Sequence, residues 1–137
     1  SVFSSLLDLM ASLQRQPGTG EGSLYDETVV VVLSEMGRTP ALNDSAGKDH
    51  WPYTSMILYG PTRVPGGRLV GATDDGQNPL RVLPADPSTL VGDDDMNGVR
   101  ITPAHIHQGL RKLAGITNHN VALQFPLMVG ETLPLFD

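Results

Sequence analysis

The run Thr28 to Leu33 (TVVVVL) constrains the fold more than any other feature of this sequence. Five β-branched residues in succession are poor helix formers and good strand formers. No polar residue alternates with them, so a strand here needs cover on both faces, as a central strand of a parallel, helix-flanked sheet has. Thr54 to Tyr59 (TSMILY) reads as a second buried strand, and Arg68-Leu69-Val70 as a short edge strand. Residues 2–15 carry Val2, Leu6, Leu9, Met10 and Leu13 near helical spacing, and the PGTGEG turn at 17–22 ends that helix. A second helix starts at Thr102-Pro103, a capping residue followed by a proline suited to the first helical position, and Gly115 stops it. Residues 71–98 read as a long loop and 118–137 as an extended tail. The length suits about one domain. Two long strands and two helices are nevertheless too few to cover a parallel sheet. The expectation is an α/β chain, part of a doubly wound, mostly parallel sheet. It is either a single domain over 1–137 or the carboxyl-terminal part of a larger one, completed by a missing upstream part or a partner chain.

Charge and composition narrow the function. Nine Lys+Arg against fifteen Asp+Glu give a net charge of -6, with no basic run, which argues against nucleic acid as a partner. No stretch reaches the roughly 18 apolar residues of a membrane span, and the opening SVFSSLLDLM lacks the basic n-region of a signal peptide. With no cysteine, disulfides, thiolate metal sites and thiol nucleophiles are excluded. An acidic chain that takes a small anionic substrate needs a metal or a local cationic pocket to do so.

Polar residues cluster where strands end, the place at which parallel α/β folds carry their sites. Glu35 follows the valine strand, and Asp49-His50 lies in the loop at 40–52. Carboxylate with imidazole suits zinc, manganese or iron, and carboxylates alone suit magnesium or calcium. The same residues also serve as loop scaffolding, with Asp49 capping a turn and His50 bonded to a carbonyl. Arg38 is placed to hold a phosphate or sulfate bidentately, or to pair with Glu35 or Asp49. Ser34 and Thr39 carry hydroxyls with no obvious neighbouring base. His105 and His107, two apart on a helix, face different sides and make no i, i+4 ligand pair. Asp93 to Gly98 (DDDMNG) opens like a calcium loop, but the twelfth position is Ala104 instead of Glu, so calcium is the weaker cation reading. Trp51 walls a pocket or packs as a hydrophobic lid.

Taken together, Ser34-Glu35-Met36-Gly37-Arg38-Thr39-Pro40 and Gly47-Lys48-Asp49-His50-Trp51 resemble the motifs of the bacterial family of unknown function numbered 1501. The resemblance covers about residues 5–116. That family is related to alkaline phosphatases and sulfatases. A broader likeness to the closing part of sulfatases runs through MILYGPTRVPGG and ITPAHIHQGLRKLAGI. The resemblance implies a doubly wound α/β fold with a metal at the strand ends. By it, Glu35 matches a metal-binding Asp and His50 a metal-binding His, with Asp49 a further candidate, while Met36 stands where a second His is usual. His105 stands where the family's T-P-x-D helix start has Asp. The superfamily's nucleophile lies upstream of the matched region. Export to the periplasm or outer surface is also implied.

Two functions follow as expectations. One is the carboxyl-terminal portion of a metal-dependent phosphatase- or sulfatase-like hydrolase acting on anionic esters. Glu35, Asp49 and His50 would hold a divalent metal, zinc or manganese, and Arg38 would steady charge on the transferred group. The other is a non-catalytic binding or structural subunit that keeps the fold without the chemistry.

Overall fold

A computed structural model describes residues 1–60, 64–76, 80–94 and 97–137. It contains helices and three small antiparallel strand pairs, a mixed α and β chain. The chain divides into two compact units, Ser1–Leu33 with Met56–Gly67, and Ser34–Ser55 with Arg68–Asp137.

In the first unit, α1 (Val2–Gln14) lies in the span that the apolar spacing predicts. Leu6, Met10 and Leu13 form its covered stripe, while Val2, Phe3, Leu7 and Leu9 are exposed. The PGTGEG segment is a closed turn. Gly18 N–H donates to Gly22 O, and the Glu27 carboxylate accepts from the backbone N–H of Thr19 and Gly20 and from the Thr19 hydroxyl. A short helix, α2 (Leu24–Glu27), begins with a capping box between Ser23 and Asp26. The valine strand is β1 (Val30–Leu33), and its partner is a strand in the predicted Thr54–Tyr59 run, Met56–Tyr59, numbered below as β4. The pair runs antiparallel, from Val30 opposite Tyr59 to Leu33 opposite Met56. The described residues therefore form no parallel, doubly wound sheet. A valine run demands cover on two faces, but it carries no information about the direction of its neighbour, which a distant segment sets. Nor is that cover complete, since Leu33 is 59% exposed and Ile57 47% exposed.

In the second unit, β2 (Gly37–Arg38) pairs antiparallel with β3 (His50–Trp51), so the loop expected over 40–52 closes as a strand pair at its base. The segment expected as loop over 71–98 contains another antiparallel pair, β5 (Ala72–Thr73) with β6 (Val82–Leu83). It also holds bridges from Ala85 to Gly92 and to Val99. The edge strand expected at 68–70 is irregular, and the first strand after it starts at Ala72. The second predicted helix is α3 (Pro103–Leu113). It ends in a Schellman motif in which Ile116 N–H reaches Arg111 O and Gly115 N–H reaches Lys112 O, with Gly115 at φ 68°. The tail is not wholly extended. Asn120–Gln124 form a short helix, α4, because His119 Nδ1 accepts the Val121 N–H and caps it. Leu90, 1% exposed, packs with Leu133 and Leu135 against Val70, Val99, Ile101, Ile106 and Phe136 to make this unit's core.

Candidate functional site

The two motifs read from the sequence are bonded to each other strand to strand. Arg38 sits directly opposite His50, and Gly37 opposite Trp51. Opposed residues of a strand pair share a face, so Arg38 and His50 lie on one face of the pair, both exposed. The ladder continues past the strands, with Thr39 N–H donating to Asp49 O and Asp49 N–H to the Thr39 hydroxyl. Gly37 is the close-packed position, because a Cβ there would lie 1.6 Å from the Tyr53 carbonyl oxygen. Alternation turns Trp51 away from His50. Its indole N–H donates to Leu80 O at 2.9 Å, and its ring meets Tyr53 edge-on, so Trp51 anchors β3 from the side opposite His50.

Glu35, just before β2, lies within electrostatic reach of both side chains. Its carboxyl is held below the usual carboxylate range first by its own backbone N–H, then by the Ser34 hydroxyl, and also by the positive potential of Arg38 and His50. Ser34 Oγ lies 3.1 Å from both Glu35 Oε2 and Met36 O, so this hydroxyl does have a neighbouring carboxylate. A carboxylate pulled down in this way is a poor general base near neutral pH and a good permanent anion or ligand. Arg38 spends one bond on Lys48 O, at 3.3 Å.

Asp49 faces a different partner. Asn43 Nδ2 donates to its Oδ1 at 2.8 Å. Asn43 is the hub of the loop, since its Oδ1 accepts from Ser45 N–H and Gly47 N–H and its backbone N–H donates to Gly47 O. Ala46, in the same turn, has φ 58°. Asn43 is a structural residue of this loop that only its Asx-turn signal, an Asn four residues before Gly47, reveals in the sequence.

These residues fit a divalent ion only in part. Glu35 and His50 are suitable donors, but the Asp49 oxygen is engaged by an amide. Among the described residues no three His, Cys, Asp or Glu side chains gather as a metal-holding group. A zinc site takes at least three protein donors, so an ion here needs others.

The remaining candidates lie elsewhere. His105 is buried, with Nδ1 accepting the Thr102 N–H and Nε2 3.3 Å from Glu131, so it serves the helix start and the tail, while His107 is exposed. Of the calcium-like loop Asp93 to Gly98, Asp95 and Met96 lie outside the described residues, as does Pro61 of the predicted Gly60-Pro61 turn.

The fold and site define a mixed α and β chain whose two polar motifs meet across one strand pair. The chain belongs to the family described as Protein of unknown function (DUF1501), whose model matches residues 19–92 and takes in both motifs. No curated protein and no solved structure matches it.

Proposed function

We propose that this chain is part of a metal-dependent phosphatase- or sulfatase-like hydrolase acting on anionic esters. The observation that carries the reading is the cross-strand pairing of Arg38 with His50, with Glu35 within their electrostatic reach. Arg38 supplies the bidentate cation that an oxyanion favours. Glu35 and His50 supply two donors for zinc or manganese, which when bound would add positive charge beside that oxyanion. Further donors come from residues outside the Glu35–His50 pair. The net charge of -6 makes such a local positive centre necessary for an anionic substrate. In this reading the chain is the carboxyl-terminal part of an alkaline-phosphatase-like domain. The β1–β4 pair, left open on Leu33 and Ile57, is then one margin of a larger doubly wound sheet. Large sheets that are otherwise parallel commonly carry an antiparallel edge strand. Export to the periplasm accompanies the reading through the superfamily likeness.

A second reading, a non-catalytic binding subunit, draws on Asp49 being tied to Asn43 and on Met36, whose thioether is a poor ligand for a hard ion. Elemental analysis separates the two. The purified chain is loaded with zinc or manganese, dialysed, and compared with Glu35→Gln and His50→Ala. Near-stoichiometric metal that both variants lose supports the hydrolase. Absence of retained metal, with variants indistinguishable from the parent, supports the binding subunit.

A further inference from the structure

The first unit holds a pair of tyrosines that the proposed site does not use. Tyr25, on α2, and Tyr59, at the end of β4, bring their hydroxyls into hydrogen-bond contact. Their ring centroids are 6.1 Å apart, with the planes tilted by 59°. Both rings hang from backbone that is fixed independently. The Ser23–Asp26 capping box holds α2, the Thr28 hydroxyl donates to Leu24 O, and Tyr59 is registered opposite Val30. Tyr59 is exposed and Tyr25 half-buried, so small oxidants reach them. The hydroxyl contact with Tyr59 pushes the Tyr25 phenol above its ordinary value.

We propose that Tyr25 and Tyr59 are a site of oxidative modification, joined to each other as an intramolecular dityrosine by a one-electron oxidant such as a haem peroxidase with hydrogen peroxide. Each phenol gives one electron to the oxidant and one proton to solvent, leaving two phenoxyl radicals. A carbon–carbon bond forms between the ring positions ortho to the two hydroxyls. Each joined carbon then loses its hydrogen as the ring regains aromaticity, and each oxygen regains a proton. The product is two hydrogen atoms lighter than the chain, and the two electrons reduce one peroxide to two waters. In such a product the two hydroxyls lie beside each other, as they already do here. A cysteine would compete for the oxidant, and the chain has none. The remaining tyrosine, Tyr53, packs edge-on against Trp51 at 6.2 Å between centroids. The cross-link would fasten α2 to β4 and close the intervening chain into a loop, lowering the entropy of the unfolded state.

The test treats the dilute full chain with a haem peroxidase and hydrogen peroxide. It follows dityrosine fluorescence in the monomer fraction, the intact mass, and a proteolytic peptide map. The expected result is monomer fluorescence, a mass lower by two hydrogens, and a peptide containing Tyr25 joined to one containing Tyr59. Tyr25→Phe and Tyr59→Phe each abolish the monomer signal, and Tyr53→Phe retains it. The peptide map of the parent chain locates the link even if a Phe variant folds poorly. Fluorescence confined to covalent dimers, a map that links Tyr53, or no cross-link at all overturns the assignment.

Discussion

Replacing Gly37 by Ala tests the β2–β3 pairing on which the site depends. A Cβ at this buried position would stand 1.6 Å from the Tyr53 carbonyl oxygen, 2.7 Å from its carbonyl carbon and 3.1 Å from the Trp51 oxygen. Ordinary contact lies near 3.5 Å, so the Tyr53 carbonyl must retreat by about 2 Å. All three atoms are backbone and cannot turn away as a side chain can. The pairing that must absorb the shift is two residues long. Overpacking typically costs about 1–3 kcal/mol, and a backbone clash this severe belongs at or above the upper end, about 3 kcal/mol. The single tryptophan, Trp51, sits on the strand concerned and reports urea unfolding by its fluorescence. Gly130→Ala, where a Cβ meets nothing within 4 Å, is the control, and its expected change is neutral to about 0.5 kcal/mol stabilising. A Gly37→Ala chain within about 0.5 kcal/mol of the parent would refute the reasoning, because the packing it assumes would then be absent.

Three further outcomes are expected. Trp51→Phe removes the indole donor to Leu80 O and costs about 1 kcal/mol in chemical denaturation. Asp86 accepts from the hydroxyls and backbone N–H groups of Ser88 and Thr89, the Ser88 hydroxyl foremost, which holds its carboxyl well below the usual range. A depressed folded value stabilises the protein above the unfolded value of about 3.9 and is lost as pH falls through the folded value. Asp86→Asn should therefore melt lower than the parent at pH 7 in calorimetry, with the gap narrowing below about pH 4. Glu27→Gln replaces the carboxylate that closes the 17–22 turn, and amide hydrogen exchange at Thr19 and Gly20 should quicken while that of β1 is unchanged.

Much of the local structure was legible in the sequence. The helix expected over 2–15 is α1, Val2–Gln14, and the helix start at Thr102-Pro103 and its stop at Gly115 are where capping chemistry places them. Both strand runs are strands, shortened at their threonine ends to Val30–Leu33 and Met56–Tyr59. What could not be read was pairing. Strand direction and partner depend on segments more than twenty residues apart, as Val30 and Tyr59 are, and composition within a strand does not encode them. The two-residue strands β2, β3, β5 and β6 are too short for alternation to reveal. The site was partly legible. Glu35, Arg38 and His50 stand out as polar residues at strand ends; the structure pairs Arg38 with His50 and leaves Glu35 within electrostatic reach of both. Asp49 looked equivalent to His50 because the two are adjacent in sequence. The hydrogen bond that turns it to Asn43 reaches six residues along the chain, and although Asn43 and Gly47 signal a turn, sequence alone does not say that the Asn43 amide reaches Asp49.

Whether Arg38 and His50 form one anion site is tested most directly by titrating the full chain with inorganic phosphate, with and without one equivalent of zinc, followed by NMR. The signals to watch are the His50 ring protons and the Arg38 side-chain N–H. Both sets should move together, at one shared affinity that zinc strengthens. Arg38→Ala should lower that affinity tenfold or more with little change in stability, since Arg38 makes one exposed bond to Lys48 O. Signals of His50 and Arg38 that stay still, or that move at separate affinities unaffected by Arg38→Ala, would contradict the claim that these residues form one anion site.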